Sequence, residues 1–516
     1  MPLHTLAFVQ PHLYKDSVAL MRVAQRLLAL PEVVNATLQM GNPANKEILR
    51  EAGLLSADVA DAGPSDIMVV VQARSAAAVE AAAAASKAEL AGRAPLAGVI
   101  GAGASAAIAP RTVGMGLAGM ADANLVQISV PGAYAAAEAL KAVNQGLNVF
   151  MFSDNVPLAQ EVALKQVATR RGVLVMGPDC GTAIIGGVPL GFANNVRKGS
   201  IGLVAASGTG LQEVTTQIHR MGAGVSHAIG TGGRDVYAEV GGATLLQGIA
   251  LLARDAATKV IAVVCKPPAP AVAAKVMQAL QAAGKPAVVL FLGAAAPPSG
   301  TQDKQMHAVH SLVDCAATAV RLAGVKRAAP HHYAMPKPPT FARSQKYLRA
   351  LYSGGTYASE AQVIWAKAGL QIWSNAPLDP ALALPDPKKA SRGHTALDLG
   401  DDEFTVGRPH PMIDQAARIE RVLAEAADPA VRVIVLDVVI GWGAHPDPAA
   451  ELAMAIVKAK RLAAKAQREL AVIGFVCGTE LDPQVLAKQE DTLRSAGMVL
   501  TGNSANAAWL AAEWIA

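Results

Sequence analysis

The stretch GSIGLVAASGTGLQEVTTQIHRMG at residues 199–222 has the pattern of a buried strand, a turn of small residues and an amphipathic helix. A related stretch, QKYLRALYSGGTYASEAQVIWAKAG, occupies residues 345–369. Each turn opens a helix, where free backbone N–H groups and the positive end of the helix dipole favour an anion such as phosphate. The candidate phosphate-binding residues are Ser207, Gly208, Thr209, Gly354, Gly355 and Thr356.

The sequence around these two turns repeats one plan of buried strands alternating with helices. DAATKVIAVVCKPP at 255–268 pairs with DPAVRVIVLDVV at 428–439, and GKPAVVLFLG at 284–293 pairs with RELAVIGFVCG at 468–478. Strands that read as continuous apolar runs are typical of parallel sheets covered on both faces. We therefore expect an internal duplication of about 150 residues, with two flavodoxin-like α/β domains.

Working outward from the duplication, the sequence predicts two further domains and a linker. Residues 1–97 alternate short strands and helices, which suggests a small ferredoxin-like or ACT-like α+β domain. Residues 98–195 predict a truncated Rossmann-like domain, in which the Gly- and Ala-rich segment 98–122 reads as a linker or mobile loop. The predicted domains are 1–97, 98–195, 196–330 and 345–516, with an exposed Pro-rich linker at 331–344.

Composition limits the class of protein. Charged residues make up 16% and hydrophobic residues 52% of 516 residues, so the chain can bury large cores. The net charge of +5 is spread along the chain without a basic run, which argues against nucleic acid as a partner. We find no membrane span or signal peptide pattern, and four dispersed cysteines without a CxxC pair fit a reducing cytoplasm.

Further candidate residues lie at predicted strand ends and in the first helical turns. A ligand crevice is expected at the carboxyl ends of the strands in 98–195, and its candidate cofactor-binding residues are Ser129, Pro131, Gly177, Pro178 and Asp179. Glu213 and Glu360 either complement the helix dipole or orient a reacting group, and we predict a catalytic role for both. Arg234, in GTGGRD, is the third predicted catalytic residue, with a role in substrate binding or at an interface, and a surface ion pair is the alternative.

Neither cysteine catalysis nor a metal site is predicted. Cys180 has no obvious base in sequence reach, and a lone cysteine is most often a small buried hydrophobe. The histidines lack the spacing of metal ligands; they include His227, His307, His310, His394 and His445.

Several motifs occur in an order that resembles a known enzyme. The segment at 123–157, then GPDCGT, SGTGLQE and GTGGRD, resemble the α subunit of succinyl-CoA synthetase, from its CoA-binding domain through its first ligase domain. HTALDLGDDEF, the segment at 428–447 and GFVCGTELDPQ resemble the ligase domain of the β subunit. One chain that carries both behind a small N-terminal domain looks like the FdrA family.

The resemblance implies a CoA-binding-type domain at 98–195 and ligase-type domains at 196–330 and 345–516. In succinyl-CoA synthetases two helix N-termini, one from each ligase domain, hold the phosphate of a phosphohistidine. The matching turns here are Ser207–Thr209, followed by Glu213, and Gly354–Thr356, followed by Glu360.

The chain departs from that family pattern at three points. In place of a Gly-His-Ala-Gly segment it reads LGAAAPPSGTQDKQMHAVHSL at 292–312, so a phosphohistidine is not predicted. An ATP-grasp domain and the first glycine-rich loop of the CoA site are not recognisable. The sequence therefore predicts no definite cofactor, and CoA is the one candidate left open. Phosphate is the expected substrate.

Three functions remain open. The FdrA family is associated with oxamate carbamoyltransferase in purine and allantoin catabolism, which implies a carbamoyltransferase subunit that takes a carbamoyl or acyl substrate and phosphate. A second reading is an acyl-CoA synthetase subunit with a separate nucleotide-binding partner, and a third is a scaffold without enzymatic activity. In each case we expect additional protein subunits in a homo- or hetero-oligomer.

Overall fold

The computed structural model describes residues 3–13, 15, 17–91, 110–294, 305–325, 333, 335–405 and 408–516. The chain divides into two compact units, Met1–Thr112 with Thr405–Pro409, and Val113–Phe404 with His410–Ala516. No described helix is both long enough and apolar enough to cross a membrane.

The N-terminal unit is a small α+β domain, as predicted. Its elements are β1 (His4–Gln10), α1 (Ser17–Leu28), β2 (Val33–Met40), α2 (Pro43–Glu51), α3 (Ala57–Ala60), β3 (Ile67–Ala73) and α4 (Ala76–Ala91). The three strands form an antiparallel sheet in the order β1-β3-β2. The apolar run IMVVVQA becomes the central strand β3, because that position is covered on both faces.

The next segment forms a short parallel sheet. Its elements are α5 (Val113–Gly119), β4 (Leu125–Ile128), α6 (Gly132–Asn144), β5 (Asn148–Met151), α7 (Leu158–Arg171) and β6 (Val175–Met176), with strand order β4-β5-β6. The prediction of a loop across 98–122 is wrong where the structure describes it, because Val113–Gly119 is helical; residues 98–109 lie outside the described residues. Met115, Leu117 and Ala118 supply helix-forming residues between its glycines.

The first of the two large sheets has seven strands. Its segment contains β7 (Thr182–Ile185), β8 (Val188–Gly191), β9 (Lys198–Ala205), α8 (Gly208–Arg220), β10 (Val225–Gly230), α9 (Ala243–Arg254), β11 (Val260–Cys265), α10 (Pro270–Ala283), β12 (Ala287–Phe291), β13 (Met306–Ala308) and α11 (Leu312–Leu322). The strand order is β13-β12-β11-β9-β10-β7-β8. β7 and β8 lie before residue 195 in the sequence but belong to this sheet.

The second large sheet has six parallel strands in the order β15-β16-β14-β17-β18-β19. Its segment contains β14 (Tyr347–Tyr352), α12 (Gly355–Lys367), β15 (Ile372–Ser374), β16 (His394–Asp398), α13 (Asp402–Thr405), α14 (Ala416–Ala427), β17 (Val431–Val439), α15 (Pro448–Lys465), β18 (Ala471–Cys477), α16 (Leu486–Ser495), β19 (Val499–Thr501) and α17 (Ser504–Ile515).

The two large sheets share one topology. The first five positions of the first sheet, β13-β12-β11-β9-β10, correspond in order to β19-β18-β17-β14-β16. This is the flavodoxin-like strand order, in which ligands bind where the connections reverse direction, at the carboxyl ends of the strands. Here the reversal lies between β9 and β11, and between β14 and β17. One buried core joins the two halves, since Leu203, Val264, Leu348, Trp365 and Phe475 belong to the same cluster.

Candidate functional site

The structure brings the two predicted phosphate-binding turns into contact. The hydroxyl oxygens Ser207 Oγ and Thr356 Oγ1 are 2.5 Å apart, which is a hydrogen bond between the starts of α8 and α12. On the other side of the contact, a Cβ atom added to Gly354 would overlap the side chain of Thr209. Thr209 and Thr356 are both buried. The two helices therefore begin face to face, with almost no space between their side chains.

Backbone N–H groups at both helix starts have no acceptor within the described chain. The N–H of Gly210 donates to Ser207 Oγ at 3.1 Å, which caps the first helix. Among the described residues, the N–H groups of Gly208, Thr209, Gly355 and Thr356 have no hydrogen-bond partner. Such donors at helix N-termini are the groups that bind phosphate and carboxylate in other proteins.

The turn before α12 is held by a buried carboxylate. Asp437, on β17, accepts a hydrogen bond of 2.9 Å from the N–H of Ser353 and a second bond from Ser353 Oγ. Arg418 Nη2 lies 2.7 Å from Asp437 Oδ1, so the charge of Asp437 is paired inside the domain. Because all three residues are buried, this network fixes the residue that precedes Gly354.

Glu213 and Glu360 lie within the interface between the two halves. Glu360 Oε1 accepts a hydrogen bond of 2.7 Å from the N–H of Leu312, the first residue of α11, and Oε2 accepts from Ser504 Oγ. Glu213 Oε1 accepts from the N–H of Ser504, the first residue of α17, at 3.4 Å. Each glutamate therefore lies at the start of a helix from the opposite half. Their predicted catalytic role remains a prediction, and these contacts favour a role in positioning the halves.

Burial raises the pKa of both glutamates. Desolvation raises the pKa of Glu360 to about 7, although hydrogen bonds from Ser504 and Leu312 oppose the shift. Desolvation likewise raises the pKa of Glu213, whose Oε2 is buried without a hydrogen-bond partner in the described structure. The carboxyl group of Glu213 also raises the pKa of Glu360, less strongly than desolvation does, because ionising both would place two negative charges in one core.

The predicted cofactor-binding residues surround the strand ends of the short parallel sheet. Pro131 precedes α6, and Ser153 Oγ donates to the carbonyl of Val130 at 2.5 Å, which ties the turn containing Ser129 to the next strand end. The carbonyl of Pro178 lies so close to Gly232 that a Cβ atom there would overlap it. Gly177 and Pro178 are therefore packed against the segment that leads to Arg234.

Asp179 is exposed, yet its carboxyl group is partly desolvated. This desolvation, with nearby Asp154 and Asp402, raises the pKa of Asp179 to about 7. Thr182, in the same GPDCGT turn, lies beside the start of α8, where a Cβ on Gly208 would be 3.5 Å from Thr182 Oγ1. The turn predicted to bind a cofactor thus lies next to the turn predicted to bind phosphate.

Arg234 belongs to an ion-pair network between α7 and the segment after β10. Arg234 Nε lies 2.8 Å from Glu161 Oε2, and the buried Lys165 Nζ lies 3.0 Å from Glu161 Oε1 and 2.8 Å from Asp235 Oδ1. Arg234 also donates to the carbonyl of Val156 at 2.7 Å. The interface alternative explains these contacts, and the catalytic role of Arg234 stays a prediction.

Sequence reasoning missed three polar residues near the helix starts. Asp398 ends β16 and lies against Gly355, whose Cβ would overlap Asp398 Oδ2. Lys266 directly follows β11, at the strand reversal beside β9, and its side chain is exposed. His410 lies against Gly400, two residues beyond Asp398. Asp398 and Lys266 lie at the carboxyl ends of strands that neighbour β14 and β9, which was the available signal. His410 lies in the segment between α13 and α14 and gave no such signal.

Two cavities lie elsewhere in the second unit. One, of about 510 Å³, is lined by residues of α15 and α16 that include Met454 and Arg461. The other, of about 280 Å³, is lined by His310, Lys367 and Leu378 among others. Neither includes a residue of the two turns, which agrees with the tight contact between Ser207 and Thr356.

Three family models match the chain. The model described as CoA-ligase matches residues 351–514, and the model described as AllF, heavy metal-associated domain, matches residues 1–103. The model described as CoA binding domain matches residues 196–293. This last match falls on the segment that we assigned to the first ligase-type domain and not on 98–195.

A protein of Escherichia coli strain K12, named uncharacterized protein YahF, is 41% identical over 513 residues and covers 98% of each chain. The chain belongs to the FdrA family. This FdrA-family chain is also similar to succinate–CoA ligase [ADP-forming] subunit alpha 2 of Archaeoglobus fulgidus, at 27% identity over 28% of the chain and 50% of that protein. A dinucleotide-forming acetyl-coenzyme A synthetase of Ca. Korarchaeum cryptofilum aligns over 76% of the chain and 82% of its own, with 15% identity and a TM-score of 0.32.

The donor groups of the N-terminal domain do not fit a heavy-metal site. Thiolates are the ligands that soft metals prefer, but the four cysteines are Cys180, Cys265, Cys315 and Cys477, all beyond residues 1–103. The described part of the FdrA-family chain contains no group of three or more His, Cys, Asp or Glu side chains that could hold a metal ion.

Proposed function

We propose that this chain is the FdrA-type subunit of a carbamoyltransferase assembly that converts oxalurate and phosphate to oxamate and carbamoyl phosphate. A phosphate oxygen attacks the ureido carbonyl carbon, the bond from that carbon to the oxamate nitrogen breaks, and the nitrogen takes up a proton. The observation that supports this proposal is the contact between the starts of α8 and α12, where four backbone N–H groups have no partner among the described residues.

The energetics of such a site are sufficient for binding without a phosphorylated histidine. A helix N-terminus stabilises an anion by about 0.3–1 kcal/mol when exposed and up to about 2 kcal/mol when partly buried. Two helix starts and the hydroxyl groups of Ser207 and Thr356 can hold phosphate in one orientation. Orientation and electrostatic stabilisation are the contributions that a phosphate nucleophile requires.

The remaining binding residues are part of the same proposal. Ser129, Pro131, Gly177, Pro178 and Asp179 would contact the organic substrate, or CoA if CoA is bound. Similar proteins are named as subunits of ligases, which supports further protein subunits as partners of this chain. An assembly of this kind would work in the cytoplasm, in the degradation of purines and allantoin.

A second candidate is a subunit of an acyl-CoA ligase. The CoA-ligase match at 351–514 and the CoA binding match at 196–293 favour it. That mechanism would need a nucleotide-binding partner and a phosphohistidine. His307 lies in the edge strand β13 beside Val288, and His310 lies beside the 280 Å³ cavity.

The test uses the chain reconstituted with its partner subunits, and two variants at one position. Gly208→Asp places a negative charge at the start of α8, whereas Gly208→Ala is the matched control, since a Cβ there meets Thr182 Oγ1 only at an ordinary 3.5 Å. We expect phosphate-dependent cleavage of oxalurate, its loss in Gly208→Asp and its retention in Gly208→Ala. Circular dichroism should show the same fold for all three proteins.

The same samples discriminate the two candidates. The carbamoyltransferase proposal predicts carbamoyl phosphate as product and no acid-labile phosphate on the chain. It also predicts substantial activity for His307→Ala and His310→Ala. Stable phosphohistidine on the chain, together with CoA-dependent turnover of a nucleotide, would contradict the proposal and support the ligase.

A further inference from the structure

Asp398 contributes a carboxyl group to the start of α12. Its Oδ1 accepts a hydrogen bond of 3.0 Å from the N–H of Gly400. Its Oδ2 lies so close to Gly355 that a Cβ atom there would overlap it, and this oxygen has no hydrogen-bond partner among the described residues. A polar oxygen with unused hydrogen-bonding capacity therefore lies against Gly355, the first residue of α12.

The charges around Asp398 come from every element packed near it. Desolvation is the largest influence and raises the pKa of Asp398 to about 7, and the neighbouring Asp401 and the buried Asp437 act in the same direction. Lys266, at the end of β11 in the other half, opposes them. His410, packed on Gly400, carries no charge near neutral pH because burial lowers its pKa to about 4.

The position of Asp398 creates a conflict for an anion at the start of α12. An ionised carboxylate beside Gly355 would repel a bound oxyanion across a partly desolvated space. A protonated carboxyl group removes this repulsion, and its O–H can donate a hydrogen bond to the anion, as the neighbouring N–H groups do. Geometry alone therefore favours one protonation state in the bound complex.

We propose that Asp398 is the proton-carrying residue of the anion site, which binds a tetrahedral oxyanion together with one proton that the carboxyl group shares with an anion oxygen through Oδ2. This inference rests on the proposed function of the two helix starts. Lys266 supplies a positive charge to the same cleft from the first half. Asp398 thus couples anion binding to pH.

The direction of the coupling follows from linkage. Above the pKa of the free site Asp398 is ionised, so binding must take up a proton and the affinity falls as the pH rises. Below that pKa the proton is already present, and the affinity levels off. With a value near 7, the site would bind well in the neutral range and lose about tenfold in affinity per pH unit above it.

Isothermal titration calorimetry with sodium sulfate tests the proposal without an identified substrate. Sulfate has the shape of phosphate but does not itself titrate near neutral pH, so any proton uptake belongs to the protein. Titrations in two buffers of different ionisation enthalpy give the number of protons bound per sulfate. At about pH 8 we expect about one proton for the wild type, and at about pH 5.5 close to none.

Asp398→Asn is the decisive variant, because its amide group donates a hydrogen bond without titrating. It should bind sulfate with no proton uptake and with an affinity that is flat across this pH range. Asp386→Asn, at a partly exposed aspartate in the same half, is the control and should behave as the wild type does. Thermal unfolding of each variant verifies that it is folded.

Two outcomes would overturn the inference separately from the proposed function. If the wild type binds sulfate without proton uptake, or if Asp398→Asn retains that uptake, the role of Asp398 is wrong while the anion site stands. If neither sulfate nor inorganic phosphate binds to the wild type at any pH, the anion site itself is wrong and the inference fails with it.

Discussion

The starts of α8 and α12 occupy equivalent places in two halves of one topology, but their surroundings differ. The first is capped by the side chain of Ser207, and Gly208 has room for a Cβ atom. The second begins at Gly354 without a side-chain cap, and Cβ atoms on Gly354 and Gly355 would overlap Thr209 and Asp398. The first start thus supplies the side chains of Ser207 and Thr209 to the contact, whereas the second supplies the side chain of Thr356 and the backbone of Gly354.

This difference shows why a repeated motif keeps glycine at different positions for different reasons. At Gly208 a Cβ atom would meet only Thr182 Oγ1 at an ordinary 3.5 Å, whereas at the equivalent Gly355 it would overlap Asp398. Gly354, which is equivalent to Ser207, lets Thr209 of the opposite helix approach. None of these glycines has a positive φ, so at Gly354 and Gly355 space and not backbone conformation requires glycine. Substitutions at equivalent positions should therefore have unequal effects.

The largest effect is expected for Gly354→Ala. The added methyl group meets the buried side chain of Thr209, so the two helix starts must separate or Thr209 must shift. Overpacking of this kind costs about 1–3 kcal/mol, and we expect loss of phosphate binding as well. Chemical denaturation would measure the destabilisation, and Gly208→Ala is the paired control. Equal stability of the two variants would contradict the asymmetry.

A smaller difference in unfolding free energy is expected between the alanine variants of the two glutamates. Glu360→Ala leaves the buried N–H of Leu312 and the hydroxyl of Ser504 without their acceptor, which costs about 1–3 kcal/mol in unfolding free energy. Glu213→Ala should cost less, because one buried oxygen of Glu213 has no partner in the described structure. The other oxygen accepts bonds of 3.2 Å from Gln217 and 3.4 Å from Ser504, both longer than the 2.7 Å bond from Leu312 to Glu360. Denaturant titration of both variants measures the two losses of unfolding free energy. A larger loss for Glu213→Ala than for Glu360→Ala would contradict the prediction.

The smallest difference between the two halves is expected in the reaction of their cysteines with thiol reagents. All four cysteines are free and buried, and desolvation raises the pKa of Cys180 and of Cys315 to about 12. A thiol reagent should therefore leave the native chain unmodified in both halves and react with four thiols after denaturation without reductant. Fewer than four reactive thiols after denaturation would indicate disulfides or bound metal.

Much of the fold could be predicted because it is encoded in local patterns. Apolar runs such as VIAVVC at 260–265 and IVLDVV at 434–439 predicted parallel strands, and the repeated turns predicted the duplication. The helix at Val113–Gly119 was missed, because three glycines in VGMGLAG look like a loop when each residue is judged by its propensity. Tertiary packing against neighbouring elements outweighs that propensity.

The site could be predicted only in part. Ser207 and Thr356 follow strands in a repeated motif, so their turns could be found from the sequence, and the structure brings those turns together. Asp398 and Lys266 belong to other strands, and only the order of strands in the two sheets places them beside the turns. The contacts of Glu213 and Glu360 with helices of the opposite half depend on long-range packing that periodicity does not encode.

The central claim is that the facing starts of α8 and α12 bind one phosphate ion. Equilibrium dialysis of the purified chain against radiolabelled inorganic phosphate, with wild type, Gly208→Ala and Gly208→Asp compared at one pH, tests it most directly. We predict one saturable site in the wild type and in Gly208→Ala, and no binding in Gly208→Asp because its carboxylate occupies the position of the anion. Equal phosphate binding by Gly208→Asp and the wild type, or no saturable binding by the wild type, would contradict the claim.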